Sequence, residues 1–390
     1  MALNSTHRKD STLTVRVACA VLFCTFSYCW LYYFQSDLLA LLQHVLSNGQ
    51  THYSRMVGAL LITALLQLLA LIVAAVVRLY RRTHALCYLP SVLLLTILSD
   101  VGASFASHPS FGHWLWTAPL VLVVWGAAVW LSRQLMPFGA SRVAVGIFSR
   151  RMWINMLIMA LMFLSAALLS ETGAVFHYRM HAETALLQNQ PDEALRVGSR
   201  SHETDVHLTM LRAHALYRQG LLGERLFQYP VKGSGADLLP LQDSRSRLLL
   251  LPADSVWYHL GVRPAHPMTF SRFMASARAL HADSLFVRNK SLADYQLCAL
   301  LVDRKLDAFA ALLPTYYAID DALPRHYKEA LILYTHQRRT PVVVYHDAVL
   351  DEDWDDLQQL EHSTDGRNDR KLKVLDKYQG TYWYYYFYGS

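Results

Sequence analysis

Five stretches of this chain are long and almost free of charge: Val17–Phe34, Met56–Val77, Leu86–Ser99, Leu115–Leu131 and Met152–Leu169. A helix needs about 20 apolar residues to cross a bilayer. The first, second and fifth stretches meet that length. The third meets it only if extended past Asp100 to Phe105. The fourth is short, but it carries Trp114, Trp116, Trp125 and Trp130, the residue type that gathers near lipid headgroups. The reading is five spans, with a re-entrant hairpin of the third and fourth stretches as the alternative. The first stretch does not read as a cleaved signal peptide. No small-x-small site precedes the bulky run Trp30-Leu31-Tyr32-Tyr33-Phe34.

Basic residues orient the spans, because loops rich in Lys and Arg stay in the cytosol. Arg8, Lys9 and Arg16 precede or open the first span. Arg78, Arg81 and Arg82 follow the second, and Arg133, Arg142, Arg150 and Arg151 follow the fourth. The alternate loops hold only Arg55. The expected topology has a cytosolic N-terminus, with everything beyond about Gly173 outside. The same asymmetry explains the net charge of +6. Through Ala174 there are 11 Lys/Arg against 4 Asp/Glu, and beyond it 25 against 26. The positive balance therefore reflects membrane topology and does not point to nucleic acid. Cys298 alone among the five cysteines lies in the outer part, so no bridge within that part is expected. Cys19, Cys24 and Cys29 recur every five residues in the first span. That spacing turns a helix by about 140°, so the thiols share no face and read as small membrane-buried residues.

Beyond the spans the pattern is helical. "HAETALLQNQPDEALRV" brings apolar residues together at three and four, with Pro191 placed to begin a second helix. "VHLTMLRAHALYRQGLLGERLF" repeats the plan around Gly220, "SVWYHLGVRPAHPMTFSRFMASARAL" around Pro264 and Pro267, and "KSLADYQLCALLVDRKLDAFAALLPTYYAI" repeats it again. "LPRHYKEALILYTHQ" adds a helix begun by Pro324. "PVVVYH" is the one β-branched run, and a lone strand would have no partner. Helix pairs at such intervals suggest a repeat. They resemble tetratricopeptide repeats: Trp257, Leu260 and Gly261 form a W-x-x-L-G fragment, and Asp192-Glu193-Ala194-Leu195 resembles the opening of a second repeat helix. Pro230–Pro252 fits no repeat and reads as a long irregular connection. The expected fold class is all-α: about five transmembrane helices over 1–173, then a helical-hairpin, tetratricopeptide-like solenoid over 174–390 outside the cytoplasm.

Three stretches carry a wider resemblance: "YYFQSDLLALLQHVLSNGQTHYSR", "LRAHALYRQGLLGERLFQYP" and "LPRHYKEALILY". In these the chain resembles a group of multi-spanning inner-membrane proteins of Bacteroidota with a helical outer domain. The resemblance implies a bacterial inner membrane and a periplasmic C-terminal domain, and it implies no reaction.

Few constellations promise chemistry. His202 and His207 in "SHETDVH" are five apart, whereas a zinc-protease helix needs two His four apart. His177 and His181 have that spacing but no third ligand nearby. Asp351, Glu352, Asp353, Asp355 and Asp356 crowd together without the glycine turn of a calcium loop, and acids favour the start of a helix. Asp100 is the one acid within a span, close to its outer end. The first outer loop offers Asp37 and His52, with His44, Tyr53 and Arg55 beside them. Membrane glycosyltransferases that use lipid-linked sugars place an acid in such a loop. The competing reading is an interfacial helix built on Leu38, Leu39, Leu41, Leu42, Val45 and Leu46 and closed by Asn48-Gly49. No catalytic residue, metal site or cofactor is assigned.

The seven rings of Tyr382-Trp383-Tyr384-Tyr385-Tyr386-Phe387-Tyr388 need a cover. Left in water they would form an aggregating patch. Membrane anchors mix such rings with cations, and none follows Lys377. The expectation is an extended tail folded back on its own domain, with Tyr382, Tyr384 and Tyr386 on one face and Trp383, Tyr385 and Phe387 on the other. These rings and Trp257 are the candidate partner or packing surface. The function expected from this pattern is a membrane-anchored scaffold contacting lipids and a protein partner. The alternative is an envelope enzyme or transporter of lipid-linked material acting through Asp37 and His52. A periplasm-active reporter should work when fused after Ser390 and fail when fused ahead of the first span. The reverse result overturns the topology.

Overall fold

The computed structural model describes residues 3–51, 53–79, 83–102, 112–134, 150–280, 290–362 and 366–389. Among these residues it is all-helical, with no strand. The chain separates into two compact units, Met1–Gly173 and Ala174–Ser390.

In hydrocarbon every backbone N–H must find its partner within the chain, so the apolar runs wind into helices. These are α1 (Leu3–Cys29), α2 (Ser36–Leu46), α3 (Arg55–Val77), α4 (Leu89–Ser99), α5 (Trp114–Gln134) and α6 (Arg150–Leu169). Four segments are long and apolar enough to cross a membrane: Leu13–Phe34, Arg55–Val77, Trp114–Gln134 and Met152–Leu169. The third stretch is shorter than expected. A 3₁₀ turn, His84–Tyr88, leads into α4, which stops at Ser99 rather than running past Asp100. The stop has visible causes. Asp100 accepts a hydrogen bond from Trp114 Nε1 at 2.6 Å, and the Ser99 carbonyl accepts from Glu171 N at 2.9 Å. Residues 103–105, the rest of the expected extension, lie outside the described residues.

Hydrogen bonds fix the levels of these helices against one another. At one end Trp30 Nε1 reaches Ser99 Oγ at 3.1 Å, near the bonds of Asp100 and Glu171. At the other end Ala85 N donates to Asn155 Oδ1 at 2.8 Å, and Arg133 donates to the Val77 carbonyl. Thus α1, His84–Ser99 and α6 run one way, and α3 and α5 return. Asp37 opens α2 and pairs with Arg55 at 3.1 Å. The leucines at 38, 39, 41 and 42 are buried beneath it.

The second unit continues with α7 (Ala174–Leu187), α8 (Pro191–Arg196), α9 (Val206–Gln219), α10 (Leu222–Arg225), α11 (Ala253–Leu260), α12 (Phe270–Leu280), α13 (Lys290–Val302), α14 (Leu306–Leu312), α15 (Arg325–Gln337), α16 (Ala348–His362), α17 (Arg367–Tyr378) and α18 (Tyr382–Tyr388). Sequence neighbours pack on one another, as α7 does on α8 and α13 on α14. Other contacts depart from a nearest-neighbour stack, in which each repeat touches only the next. The α10 turn meets α13 and α15, and α18 meets α15. The result is three helices, α9, α13 and α15, buried nearly all round.

Buried carboxylates hold the irregular connection of residues 230–252 in place. Glu183, fully buried on α7, accepts from the backbone N–H groups of Leu249, Leu250 and Leu251 through one oxygen and from Arg179 Nε through the other. Asp237 accepts from Ser234 and from the backbone and guanidinium of Arg245. Burial alone would raise the Asp237 pKa; those bonds outweigh it and hold the carboxyl below its ordinary value. Gly235 is required where the chain crosses α13, because a Cβ there would stand 2.4 Å from the Ala299 carbonyl oxygen.

His214 on α9 is buried, stacks on Tyr217 and meets His259 edge-on, and neither ring nitrogen has a hydrogen-bond partner among the described residues. Burial, helped by the His259 and Arg218 charges, lowers its pKa from 6.5 to about 3. The ring is therefore neutral in the folded chain. Below pH 6.5 the unfolded chain binds a proton that the folded chain refuses, so stability falls as the pH drops. The loss is about 2 kcal/mol by pH 5. The unfolding midpoint of the detergent-solubilised chain should drop between pH 7 and pH 5. A His214→Phe variant should lose about one proton's worth of that dependence. Equal slopes in the two proteins would contradict the assignment.

Candidate functional site

The aromatic segment is a helix, not the extended tail expected from its sequence. Gly380, at φ +86°, reverses the chain after α17. Thr381 then caps α18, its hydroxyl accepting from Tyr384 N at 3.2 Å. Fully buried Glu329 on α15 accepts from Tyr382 N at 2.6 Å, and its backbone carbonyl accepts from Trp383 Nε1 at 2.7 Å. The same carboxylate takes His326 Nδ1 at 2.9 Å and Arg325 Nε at 2.8 Å. An alternating strand cannot meet these partners, and a capped helical turn can.

Helical spacing sorts the rings into four sets rather than two. Tyr382 and Tyr385 face Phe227, at centroid distances of 5.0 and 4.8 Å. Their hydroxyls donate to the Leu301 and Val302 carbonyls at the end of α13. Trp383 and Phe387 meet Trp354 of α16. Tyr386 donates to Gln337 at 3.3 Å. Tyr384 and Tyr388 stack at 5.8 Å and turn toward a cleft. Arg304 closes the helix by donating to the Tyr385 and Gly389 carbonyls.

The cleft has a volume of about 590 Å³. Tyr384, Tyr385 and Tyr388 line one part of it, and Phe227, Gln228, Tyr229 and Val231 another. Lys371 and Leu375 of α17, with Gln379 just after it, form a third. His202, Glu203, Thr204 and Lys232 complete the rim, and His202 meets Gln379 Nε2 at 3.4 Å. Behind Tyr229 lies Arg212, almost fully buried, its guanidinium 5.2 Å from the ring centroid. It donates to the Gly198 carbonyl at 3.0 Å, while Nε and Nη1 have no partner among the described residues. Burial lowers its pKa to about 10, which leaves it charged at neutral pH.

The other sequence candidates go elsewhere. Trp257 packs on Phe273 at 5.5 Å in the core and does not line the cleft. Asp37 is occupied by Arg55, and His52 lies outside the described residues. His202 and His207 diverge: the first meets Gln379, and the second accepts from Arg247 N. The acidic run opens α16 and is shared out, Asp351 to His336 and His346 and Asp356 to Lys377 and Tyr378. Sequence reading missed Lys232, Lys371, Gln228 and Gln379. They come from segments far apart in the chain, around residues 228–232 and 371–379, and no local pattern marks them.

Residues 284–389 match the model of a family of unknown function, DUF6057. That segment contains α13 to α18, and so the Lys371 and tyrosine walls of the cleft but not residues 202–232. No curated protein and no solved structure matches the chain.

Trp383→Ala should lower the unfolding free energy by about 3–5 kcal/mol, the usual cost of emptying a buried indole site. Phe387→Ala, at a ring 37% exposed, should cost clearly less. Denaturant titration of both variants reads the difference, and equal small losses would show that α18 is not part of the core.

Proposed function

We propose that this protein is a partner-binding scaffold of a bacterial inner membrane, with a cytosolic N-terminus and its second unit held in the periplasm. The observation that carries the reading is the cleft of about 590 Å³ walled by the aromatic helix. It has the size and mixed lining of a recognition site: rings for contact area, with a few polar groups that fix orientation.

The levels of the helices support the topology. His84–Tyr88 and Leu89–Ser99 contain 5 and 11 residues. Their combined rise is roughly 27 Å, close to the thickness of a hydrocarbon core. Ala85 and Ser99 bond at the same levels as Asn155 and Glu171 of the α6 segment. Counted as a crossing, His84–Ser99 makes five alternating passes. Basic residues stand at every cytosolic end, and the second unit falls on the opposite side from the N-terminus. The Bacteroidota resemblance supports the periplasm as that side. The second unit is read as tetratricopeptide-like hairpins whose stacking the 230–252 connection interrupts.

A photo-crosslinking residue in place of Tyr384 or Gln228 tests this in the native membrane. A discrete protein adduct is expected from both positions. None is expected from Tyr258, which is 83% exposed and does not line the cleft. Absence of adducts at the cleft, or the same adducts from all three positions, overturns the reading.

A further inference from the structure

We propose that the cleft takes an acidic peptide segment bearing an aromatic or large aliphatic side chain. The inference rests on the partner-binding reading and names the partner's chemistry. Lys232 at the rim and Lys371 on α17 stand exposed in the lining, and neither forms a salt bridge among the described residues. Glu203 is the one acid in the lining. Arg212 adds a third positive charge behind the Tyr229 ring, and backbone carbonyls rather than a carboxylate hold it. These three cations outnumber Glu203 in the lining and Asp205, whose charge acts on Arg212, so the balance of charge favours an anion.

The rings say what else the anion carries. Tyr384 and Tyr388 present a stacked pair to the space, and Leu375 and Val231 continue an apolar surface. An apolar side chain set against them loses its contact with water, which supplies affinity, while the exposed lysines supply selectivity and speed of encounter. A lipid chain fits less well. Gln228, Gln379, Thr204 and His202 would face it, and polar groups covered by hydrocarbon lose their partners in water. A peptide backbone offers both donors and acceptors to those side chains.

The test uses the full chain in phosphatidylcholine nanodiscs, panned against a random heptapeptide display library at physiological salt. Enriched peptides should pair Asp or Glu with an aromatic or large aliphatic residue. Resynthesised with fluorescein and followed by anisotropy, they should bind roughly tenfold more weakly to a Lys232→Glu/Lys371→Glu variant, the size of change that lost charge complementarity brings. Peptides with Lys in place of the acid should show the reverse preference. Tyr388→Ala should weaken both kinds alike. If charge reversal disturbs the unfolding midpoint, Lys232→Gln/Lys371→Gln replaces it, with a smaller loss expected. Enrichment without acids, binding unchanged in the lysine variants, or no enrichment overturns the inference. Cleft adducts that persist in the native membrane alongside any of those results would leave the partner-binding reading intact and reject only the acidic ligand.

Discussion

An irregular chain can run through a helical core only if its backbone N–H groups find acceptors there. In the second unit that demand is met by buried carboxylates. One Glu183 oxygen gathers three successive N–H groups of Leu249, Leu250 and Leu251, and Asp237 gathers those of Ser234 and Arg245. Glu329 does the same for the start of the aromatic helix. A buried charge left unpaired costs several kcal/mol, so each acid also demands its complement. Arg179 answers Glu183, Arg245 answers Asp237, and Arg325 with His326 answers Glu329. Hydrophobic burial gives the unit its cohesion. The carboxylates decide where its non-helical segments run, and therefore where the cleft opens.

The first unit meets the same demand with less polar means. Serine, tryptophan and asparagine side chains tie helix to helix at matched levels, and Ser91 bonds the Leu66 carbonyl midway along. The helix that looks too short for a membrane, α4, is also the one most enclosed by its neighbours, with Ser91, Leu95 and Ser99 fully buried. The long α5 is its opposite: 6% of its apolar window is buried. An enclosed helix can shorten because protein, not lipid, covers its ends.

The sequence disclosed what is set locally. Apolar runs, the basic bias and the helix starts at Pro191 and Pro324 depend on neighbours in the chain, and the described residues form helices and no strand, as read. The end of α4 was not legible, because Trp114 and Glu171, which secure it, come from distant parts of the chain. The aromatic segment looked extended because seven adjacent rings carry no helical period. Its conformation is decided by Thr381 and by Glu329, 53 residues upstream of Tyr382. The cleft was illegible for the same reason. His202 and Gln379 meet across 177 residues, a pairing that no local pattern announces.

The bonds from Tyr382 and Tyr385 to the Leu301 and Val302 carbonyls span 81 and 83 residues. During synthesis α13 emerges long before the rings that close its end. Until residues 382–388 leave the ribosome, those carbonyls remain open to water and the Phe227 ring lacks two of its neighbours. Contacts of such separation fold slowly, and the waiting surface is sticky. The nascent chain therefore passes through an interval in which part of this core lies uncovered. A protein whose core is completed from so far downstream is vulnerable in transit to a degree that its finished fold no longer reveals.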